Sequence, residues 1–229
     1  MSFARLLNEM KEIDVKNWYR KTAFENFSTY TNPTFSVGTR LDVTELVEYC
    51  KKTGESFFIT FLFVLSKCAN GIDEMRYRFF GGRAVEFEKI NPSFVVLMDD
   101  GSIETCWVEY DADFKKFYSV CKEKIEKVKQ TQEKSKFNSQ DGVDCLYISC
   151  LPWIDLVTVS NPYNFSDLAQ TSIPRITWGK YVKNLRGRYE MGFDVSAHHA
   201  LIDGYHVANL MGKITTAIEN LESFLKEGN

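Results

Sequence analysis

The chain contains three histidines, and all of them lie in the stretch "VSAHHALIDGYHVANL" from Val195 to Leu210. His198, His199 and His206 fall within one short segment of a chain of 229 residues. Histidine is the side chain whose unperturbed pKa lies nearest neutrality, so such a cluster suits proton transfer or metal binding. A crowded corner of the core is the alternative that involves no chemistry.

The residues before the histidines follow the period of a half-buried strand. Apolar side chains alternate with polar residues and glycine, the apolar set being Tyr189, Met191, Phe193, Val195 and Ala197. Continuing the alternation puts His199 on the apolar side and His198 on the other, just before a turn at Asp203-Gly204. We therefore expect His199 at the strand's end, partly desolvated yet reachable, and His206 in the first turn of the last helix.

Two other interpretations of the cluster stay open from spacing alone. A metal site would need His199, Asp203 and His206 at i, i+4 and i+7 of one helix. Gly204 and the preceding strand pattern argue against a continuous helix, and no further histidine exists to complete a ligand set. The second alternative is an inert histidine hydrogen-bonded at the core edge, with Asp203 capping the last helix.

Length and composition restrict the classes of protein that are possible. A chain of 229 residues with 44% hydrophobic and 14% aromatic residues favours one large domain spanning residues 1–229. The net charge of −3 gives no bulk attraction to nucleic acid or to an anionic membrane surface. The longest apolar run, "SFFITFLFVLSKCANG", is too short to span a bilayer and predicts a buried helix.

The cysteines and the first residues predict a cytoplasmic protein. Six cysteines are scattered without any Cys-x-x-Cys, which is typical of reduced thiols in a core. The opening "MSFARLLNEMKEIDVKNW" mixes acidic with apolar residues and lacks the apolar segment of a signal peptide.

Helices and strands alternate irregularly along the chain. The spacing predicts a first helix over "DVKNWYRKTAFENF" from Asp14 or Asn17, and a second over "DVTELVEYCKKTG" with a capping box of Asp42 and Glu45. A charged amphipathic helix containing "KEKIEKVKQTQEKSK" and a last helix over "HVANLMGKITTAIENLESFLKE" are also predicted. Strands are predicted for "TFSVGTRL", "MRYRFF", "RAVEFEKI", "SFVVLM", "ETCWVEY", "CLYISCLPWI", "RITWGKYVK" and "RYEMGFDVSAHH". Turn signals at Gly81-Gly82 and Asp100-Gly101 join two hairpins, so the fold class is α+β, a mixed, mostly antiparallel sheet covered by helices in a two-layer sandwich.

Four motifs, in order, resemble those of the chloramphenicol acetyltransferase family. "HHALIDGYH" resembles its His-His-x-x-x-Asp-Gly signature, whose shorter core also occurs in dihydrolipoyl acyltransferase domains. "NWYRKTAFENF", "ISCLPW" and "ITWGKY" resemble three further segments, so the match spans residues 17 to 206. The resemblance implies a CoA-dependent acyltransferase fold and one acyltransferase domain.

The resemblance also implies roles for individual residues. His199 would be the general base that takes the proton of a substrate hydroxyl, and Ser149 would stabilise the oxyanion formed from acetyl-CoA. Asp203 would pair with Arg20 and hold the loop that carries His199. The residues on the CoA side would be Trp153, Thr177, Lys180 and Tyr181. The family uses acetyl-CoA as co-substrate without a metal, and its active sites lie between the subunits of a homotrimer.

The acceptor side departs from the family pattern. The acceptor-pocket candidates are Phe27, Phe35 and Cys106, but the family's tyrosine falls near Asn26 or Phe27, and Cys106 stands in place of a phenylalanine. The resemblance makes chloramphenicol the leading acceptor. Because the acceptor side departs from the family, another hydroxyl or amine compound is the alternative. A dihydrolipoyl acyltransferase core, a ligand-binding member without activity and a metal-dependent hydrolase are the remaining hypotheses.

Overall fold

The structure, a computed structural model, describes residues 9–130 and 142–227. The helices of this part of the chain are α1 (Lys21–Phe27), α2 (Thr44–Thr53), α3 (Phe57–Asn70), α4 (Phe114–Gln130), α5 (Leu168–Thr171), α6 (Gly204–Glu219) and α7 (Leu221–Phe224), with a 3-10 turn at Asp73–Arg76. The strands are β1 (Met10–Glu12), β2 (Thr34–Asp42), β3 (Tyr77–Phe80), β4 (Arg83–Phe87), β5 (Asn91–Leu97), β6 (Ile103–Trp107), β7 (Cys145–Leu151), β8 (Arg175–Lys183) and β9 (Tyr189–His198).

The strands form one large and one small sheet. The large sheet has the order β2-β9-β8-β7-β5-β6, in which β7 runs parallel to β5 and β8 and the other pairs are antiparallel. The antiparallel sheet β1-β4-β3 is separate from it. The predicted α+β class with a mixed, mostly antiparallel sheet is confirmed, and both predicted hairpins form, although a second sheet was not expected.

The core lies between one face of the large sheet and the helices. Helix α3 begins after Ser56, whose Oγ accepts from the Ile59 backbone, and it packs against α2, α4 and α6. Ten of its fourteen residues are buried, because the helix lies between the sheet and the neighbouring helices. The apolar run of the sequence is therefore this central helix, as predicted. Within the described ranges no helix is both long and apolar enough to cross a membrane.

The opposite face of the large sheet is covered by the segment that follows β7. A Cβ on Gly192 would lie 1.9 Å from the Leu156 carbonyl oxygen, and one on Gly179 would lie 2.5 Å from Leu156 Cβ. Only glycine permits this close approach of the segment to the sheet. The prediction of a half-buried β9 is therefore wrong, because residues 191–198 are buried on both faces.

Three predicted element boundaries are also wrong. Helix α1 begins only at Lys21, because Asp14 Oδ1 and Oδ2 accept from Lys16 N and Asn17 Nδ2 in a preceding turn. The capping box of α2 does not form, because Arg188 binds both Asp42 and Glu45. The predicted last helix divides at Asn220 into α6 and α7.

The remaining elements and the cysteines agree with the prediction. Helix α4 forms with Phe114, Phe117 and Cys121 buried, while residues 131–136 of the quoted charged run lie outside the described residues. All six cysteines are free, and five of them are buried.

Candidate active site

His199 lies directly after β9, at the point where the chain leaves the sheet. Its backbone N–H donates to the Pro33 carbonyl at 2.8 Å, and its own carbonyl accepts from Arg20 Nη2 at 3.1 Å. Two segments distant in sequence thus fix the main chain of this residue. About a third of its side chain (32%) remains exposed, so the ring is partly desolvated and still reachable, as the alternation predicted.

Aromatic rings hold the His199 imidazole on its apolar side. Phe27, the last residue of α1, stacks on it with ring centroids 3.8 Å apart and planes within 6°. Phe35 of β2 lies with its centroid 4.6 Å away. Two of the three acceptor-pocket candidates therefore contact the predicted base directly.

The Nδ1 atom of His199 lies on the buried side of the ring. It is 3.2 Å from Asp203 Oδ1, but the alignment is not that of a hydrogen bond, and the buried atom has no other partner among the described residues. Because Nδ1 is buried, the exposed part of the ring lies away from Asp203. The contact with the carboxylate restrains the ring and leaves its other edge available for a substrate.

Arg20 and Asp203 form an ion pair beneath this ring. Both guanidinium Nη atoms contact the carboxylate, Nη2 reaching Oδ1 at 2.9 Å. The Arg20 hydrogen bond holds the pKa of Asp203 below its ordinary value against the opposing effect of burial. Arg20 is 3% exposed, lies directly before α1 and contacts both oxygens of the Asp203 carboxylate.

His198 is buried on the other face of the strand and is separate from this arrangement. Its Nδ1 accepts from the Ala200 backbone N–H at 3.2 Å, and its ring packs edge-on against Phe79. Burial lowers the pKa of His198 to about 4, so the ring is uncharged at neutral pH. It lacks the exposure of a group that exchanges protons with a substrate, and its low pKa makes it a weak base.

The residues of the metal hypothesis do not share a helix. Helix α6 begins at Gly204, and His206 Nδ1 is occupied by the Asp203 backbone N–H at 2.9 Å. Among residues 9–130 and 142–227, no group of three or more His, Cys, Asp or Glu side chains is arranged to hold a metal ion.

Ser149 belongs to a second cluster of predicted residues, on the central strands. It is half-buried on β7 and lies directly opposite Thr177 of β8, whose side chain is 2% exposed. The Lys180 backbone N–H donates to the Ile154 carbonyl at 2.7 Å at an irregularity of β8, which brings the exposed Lys180 and Trp153 to the same part of the sheet. Tyr181 lies outside this cluster, because it pairs with Met191 on the helix-covered face of the sheet and packs against Phe57 of α3.

The register of the large sheet separates Ser149 from His199. Ser149 pairs with Thr177, and Thr177 pairs with Asp194 of β9, four residues before His198. With ~3.3 Å per residue along a strand and ~4.8 Å between strands, the Ser149 and His198 Cα atoms lie roughly 16 Å apart. The structure therefore gathers His199, Arg20, Asp203, Phe27 and Phe35 at one site, and the Ser149 cluster at another.

Cys106 joins neither cluster. It lies on β6 at the far edge of the large sheet from β2, opposite Phe94, and is 2% exposed. Phe94 is in turn opposite Ile148, so Cys106 is on the helix-covered face while Ser149 is on the other. Within one chain this placement argues against Cys106 as a pocket residue.

The sequence analysis assigned no role to Glu74 or Tyr19. Glu74 Oε1 lies 3.5 Å from His206 Nε2 and accepts from the Tyr19 hydroxyl. Tyr19 stands beside Arg20 in the "NWYR" motif, and this adjacency was the one available signal. Glu74 is far from both motifs in sequence, and no local spacing connects it to them.

Solved structures with the same fold include acyltransferases. A chloramphenicol acetyltransferase superimposes with a TM-score of 0.83 at 23% identity, covering 91% of this chain and 99% of that one. A probable dihydrolipoamide acetyltransferase from Listeria monocytogenes superimposes with a TM-score of 0.63 at 17% identity, covering 96% and 97% of the two chains. At these identities the likeness shows the fold.

The sequence comparisons show the family. A chloramphenicol acetyltransferase from Clostridium perfringens is 27% identical over 94% of this chain and 97% of its own, and one from Proteus mirabilis is 26% identical over 88% and 91%. The family profile described as chloramphenicol acetyltransferase matches residues 8–215. The chain therefore belongs to the chloramphenicol acetyltransferase family.

Proposed function

We propose that the protein transfers the acetyl group of acetyl-CoA to a hydroxyl group of a small molecule, with chloramphenicol as the leading acceptor. The observation that carries the proposal is the setting of His199, whose main chain is fixed on both sides while its ring keeps one exposed edge. A general base needs this combination of fixed direction and access. The relatives, which carry the name of this reaction, support it.

In the proposed mechanism, His199 acts through Nε2. The imidazole takes the proton of the acceptor hydroxyl as that oxygen attacks the thioester carbonyl. The resulting tetrahedral intermediate carries its negative charge on the former carbonyl oxygen, to which the Ser149 hydroxyl donates. The carbon–sulfur bond then breaks, and the CoA sulfur leaves as a thiol with the proton held by the imidazolium. A base and an oxyanion donor typically contribute ~10²–10⁴-fold and ~3 kcal/mol, respectively.

Arg20 and Asp203 act as supports in this scheme. The guanidinium binds both the Asp203 carboxylate and the His199 carbonyl, so one buried side chain joins α1 to the turn that carries the base. A fixed imidazole direction matters because a displacement of ~1 Å from the attacking oxygen can cost ~10²-fold in rate.

The separation of Ser149 from His199 supports a site shared between two chains. A base and an oxyanion donor acting on one tetrahedral carbon lie within roughly 7 Å of each other, since each is one hydrogen bond from an oxygen on that carbon. The ~16 Å across the sheet exceeds this distance. We therefore propose that Ser149 and the CoA-side residues Trp153, Thr177 and Lys180 complete the His199 site of a neighbouring copy in a homotrimer.

An exposed apolar surface supports the same arrangement. The segment that covers the sheet after β7 exposes several large apolar side chains, namely Trp153, Ile154, Val157, Phe165 and Leu168. Patches of this kind on a folded chain commonly mark a protein interface. Their position directly after Ser149 is consistent with burial of the patch when the second chain completes the site.

The acceptor side favours an aromatic or otherwise flat compound. Phe27 and Phe35 flank the base, and Tyr30 packs edge-on against Phe27. The family's tyrosine falls near Asn26 or Phe27, so this side of the site departs from the family pattern. A hydroxyl compound other than chloramphenicol, or an amine, is therefore the alternative acceptor.

The test is release of CoA thiol from acetyl-CoA with a small panel of acceptors, comparing wild type, His199→Ala and Ser149→Ala. We expect release with chloramphenicol, a loss of at least ~10²-fold in His199→Ala and a similar loss in Ser149→Ala. Release with another alcohol or amine alone would keep the chemistry and change the acceptor. Turnover that is unchanged in His199→Ala would refute the assigned base.

A further inference from the structure

His206 is a buried histidine beside the proposed site that has no part in the mechanism above. It lies in the first turn of α6 and is 6% exposed. Its Nδ1 accepts from the Asp203 backbone N–H at 2.9 Å, and its Nε2 lies 3.5 Å from Glu74 Oε1. Because Nδ1 is an acceptor, the proton of the uncharged ring must be on Nε2, facing the carboxylate.

Glu74 connects this ring to the segment that carries Arg20. Its side chain is 16% exposed and comes from the 3-10 turn between α3 and β3. The Tyr19 hydroxyl donates to the same Oε1 atom. Burial, followed by the hydrogen bond to Glu74, raises the pKa of Tyr19, which keeps that hydroxyl protonated as a donor.

These contacts form a closed network around Asp203. Arg20, the neighbour of Tyr19 in sequence, is paired with the Asp203 carboxylate, and the Asp203 N–H donates to His206. His206 faces Glu74, which accepts from the Tyr19 hydroxyl. Asp203 is thereby held through its side chain by Arg20 and through its main chain by His206. Arg20 Nη2 binds both the Asp203 carboxylate and the His199 carbonyl, so we expect a displacement of Asp203 to reach the base.

A second proton on His206 would break its hydrogen bond with the Asp203 backbone. The charged ring carries a hydrogen on Nδ1, which would then face the Asp203 N–H, donor against donor. The charged groups around the ring act in both directions, because Glu74 and Asp203 favour the imidazolium and Arg20 opposes it. Burial is the largest influence and lowers the pKa of His206, so the ring is uncharged at neutral pH.

We propose that His206 is a positioning residue for His199, which keeps the base in place only while His206 is uncharged with its proton on Nε2. Glu74, which accepts the Tyr19 hydroxyl hydrogen, faces the Nε2 edge of that ring at 3.5 Å. The inference rests on the proposed function, because it is the placement of the proposed base that His206 controls.

The first test is independent of activity. With three histidines in the chain, nitrogen-15 NMR of the imidazoles is assigned by comparing wild type with His199→Ala and His206→Gln. We expect the His206 ring of the wild type at pH 7.5 to be uncharged, with the proton on Nε2 and Nδ1 hydrogen-bonded. A ring protonated on Nδ1, or one that is charged at this pH, would overturn the inference even if the protein proves to be an active acetyltransferase.

The second test uses thiol release as a function of pH. Glutamine is the usual partner of the N-cap in a capping box and does not titrate, so His206→Gln keeps an acceptor for Asp203 N–H. We expect kcat of His206→Ala to fall about tenfold with KM unchanged, and His206→Gln to recover to within about threefold at pH 8. At acid pH the kcat of the wild type should fall more steeply than that of His206→Gln, because only the wild type can protonate His206.

The control variant is Tyr205→Phe, which changes an exposed neighbour in the same turn. It should match the wild type at every pH. An equal fall of kcat at acid pH in wild type and His206→Gln would show that His206 is only a structural residue, whatever its effect on the melting temperature. Equal kcat in His206→Ala and wild type would overturn the inference as well. Absence of turnover in the wild type would refute the proposed function instead, and the NMR result would still decide the state of the ring.

Discussion

Mixing two inactive variants tests the shared site in a way that no single substitution can. In the proposed mechanism His199→Ala removes the base and Ser149→Ala removes the oxyanion donor, so each variant alone should lose at least ~10²-fold in kcat. In a mixed oligomer, however, a His199→Ala chain still supplies Ser149, and a Ser149→Ala chain still supplies His199. Each intact site then forms where these two contributions meet.

The expected recovery follows from the distance between the two residues. If the ~16 Å across β9, β8 and β7 prevents them from acting in one chain, every site takes its base and its donor from different chains. In an equal mixture, half of the bases and half of the donors are intact, so about one quarter of the sites are complete in a cyclic assembly. If both residues acted in one chain, no chain in the mixture would carry a complete pair.

The assay is thiol release after the two variants are unfolded together in denaturant and refolded, with each variant refolded alone as the control. Different affinity tags on the two variants, recovered in sequence, verify that mixed oligomers have formed. We expect about 25% of the wild-type kcat in the mixture. If mixed oligomers form and their kcat stays at the mean of the two variants refolded alone, the shared site is refuted. The reasoning from sheet register then fails as well.

Three further predictions concern stability and the support of the base. Arg20→Ala leaves the Asp203 carboxylate unpaired, so it should lower the free energy of unfolding by about 2 kcal/mol and reduce kcat. Arg20→Lys should restore much of the melting temperature but not the two-point contact. Gly192→Ala should lower the free energy of unfolding by about 1–3 kcal/mol, because its methyl group would meet the Leu156 carbonyl. Gly212→Ala has open space inside α6 and should raise the free energy of unfolding by about 0.5–1 kcal/mol. Denaturant unfolding measures both changes. The unfolded chain protonates His198 near pH 6.5 and the folded chain only near pH 4, so the stabilisation is complete above pH 6.5 and falls by about 3 kcal/mol as the pH drops through this window. His198→Asn, which keeps an acceptor for the Ala200 N–H, should show a smaller fall in urea unfolding over the same range, and a parallel fall would contradict the assignment.

Local periodicity predicted most elements because the apolar pattern and the turn residues are local properties. Strand β9 was placed by its alternation, and α3 by its apolar run. The pattern failed to predict burial of the polar side of β9, since the segment that covers it reaches Gly192 from 36 residues earlier in the chain. The capping box of α2 failed for a similar reason, because Arg188, distant in sequence, binds both of its carboxylates.

The candidate site was predictable only in part. The alternation distinguished His199 from His198, and the motifs supplied Arg20 and Ser149 as residue types. What they could not supply is distance: nothing in the motifs indicates that Ser149 lies several strand positions from the histidine. That separation follows from the strand order and register, which arise from long-range pairing of β7, β8 and β9.

The environment of Asp203 distinguishes this site from a nucleophilic triad. In a triad the carboxylate binds the histidine's Nδ1–H and stabilises the imidazolium that forms when a serine is activated. Here the Asp203 carboxylate is already bound at both oxygens by Arg20, and its contact with His199 Nδ1 lacks hydrogen-bond alignment. Much of its charge is therefore neutralised before the imidazolium appears. In the proposed mechanism the support of His199 is then mainly positional, and the second hold on Asp203 that we propose for His206 fits this role.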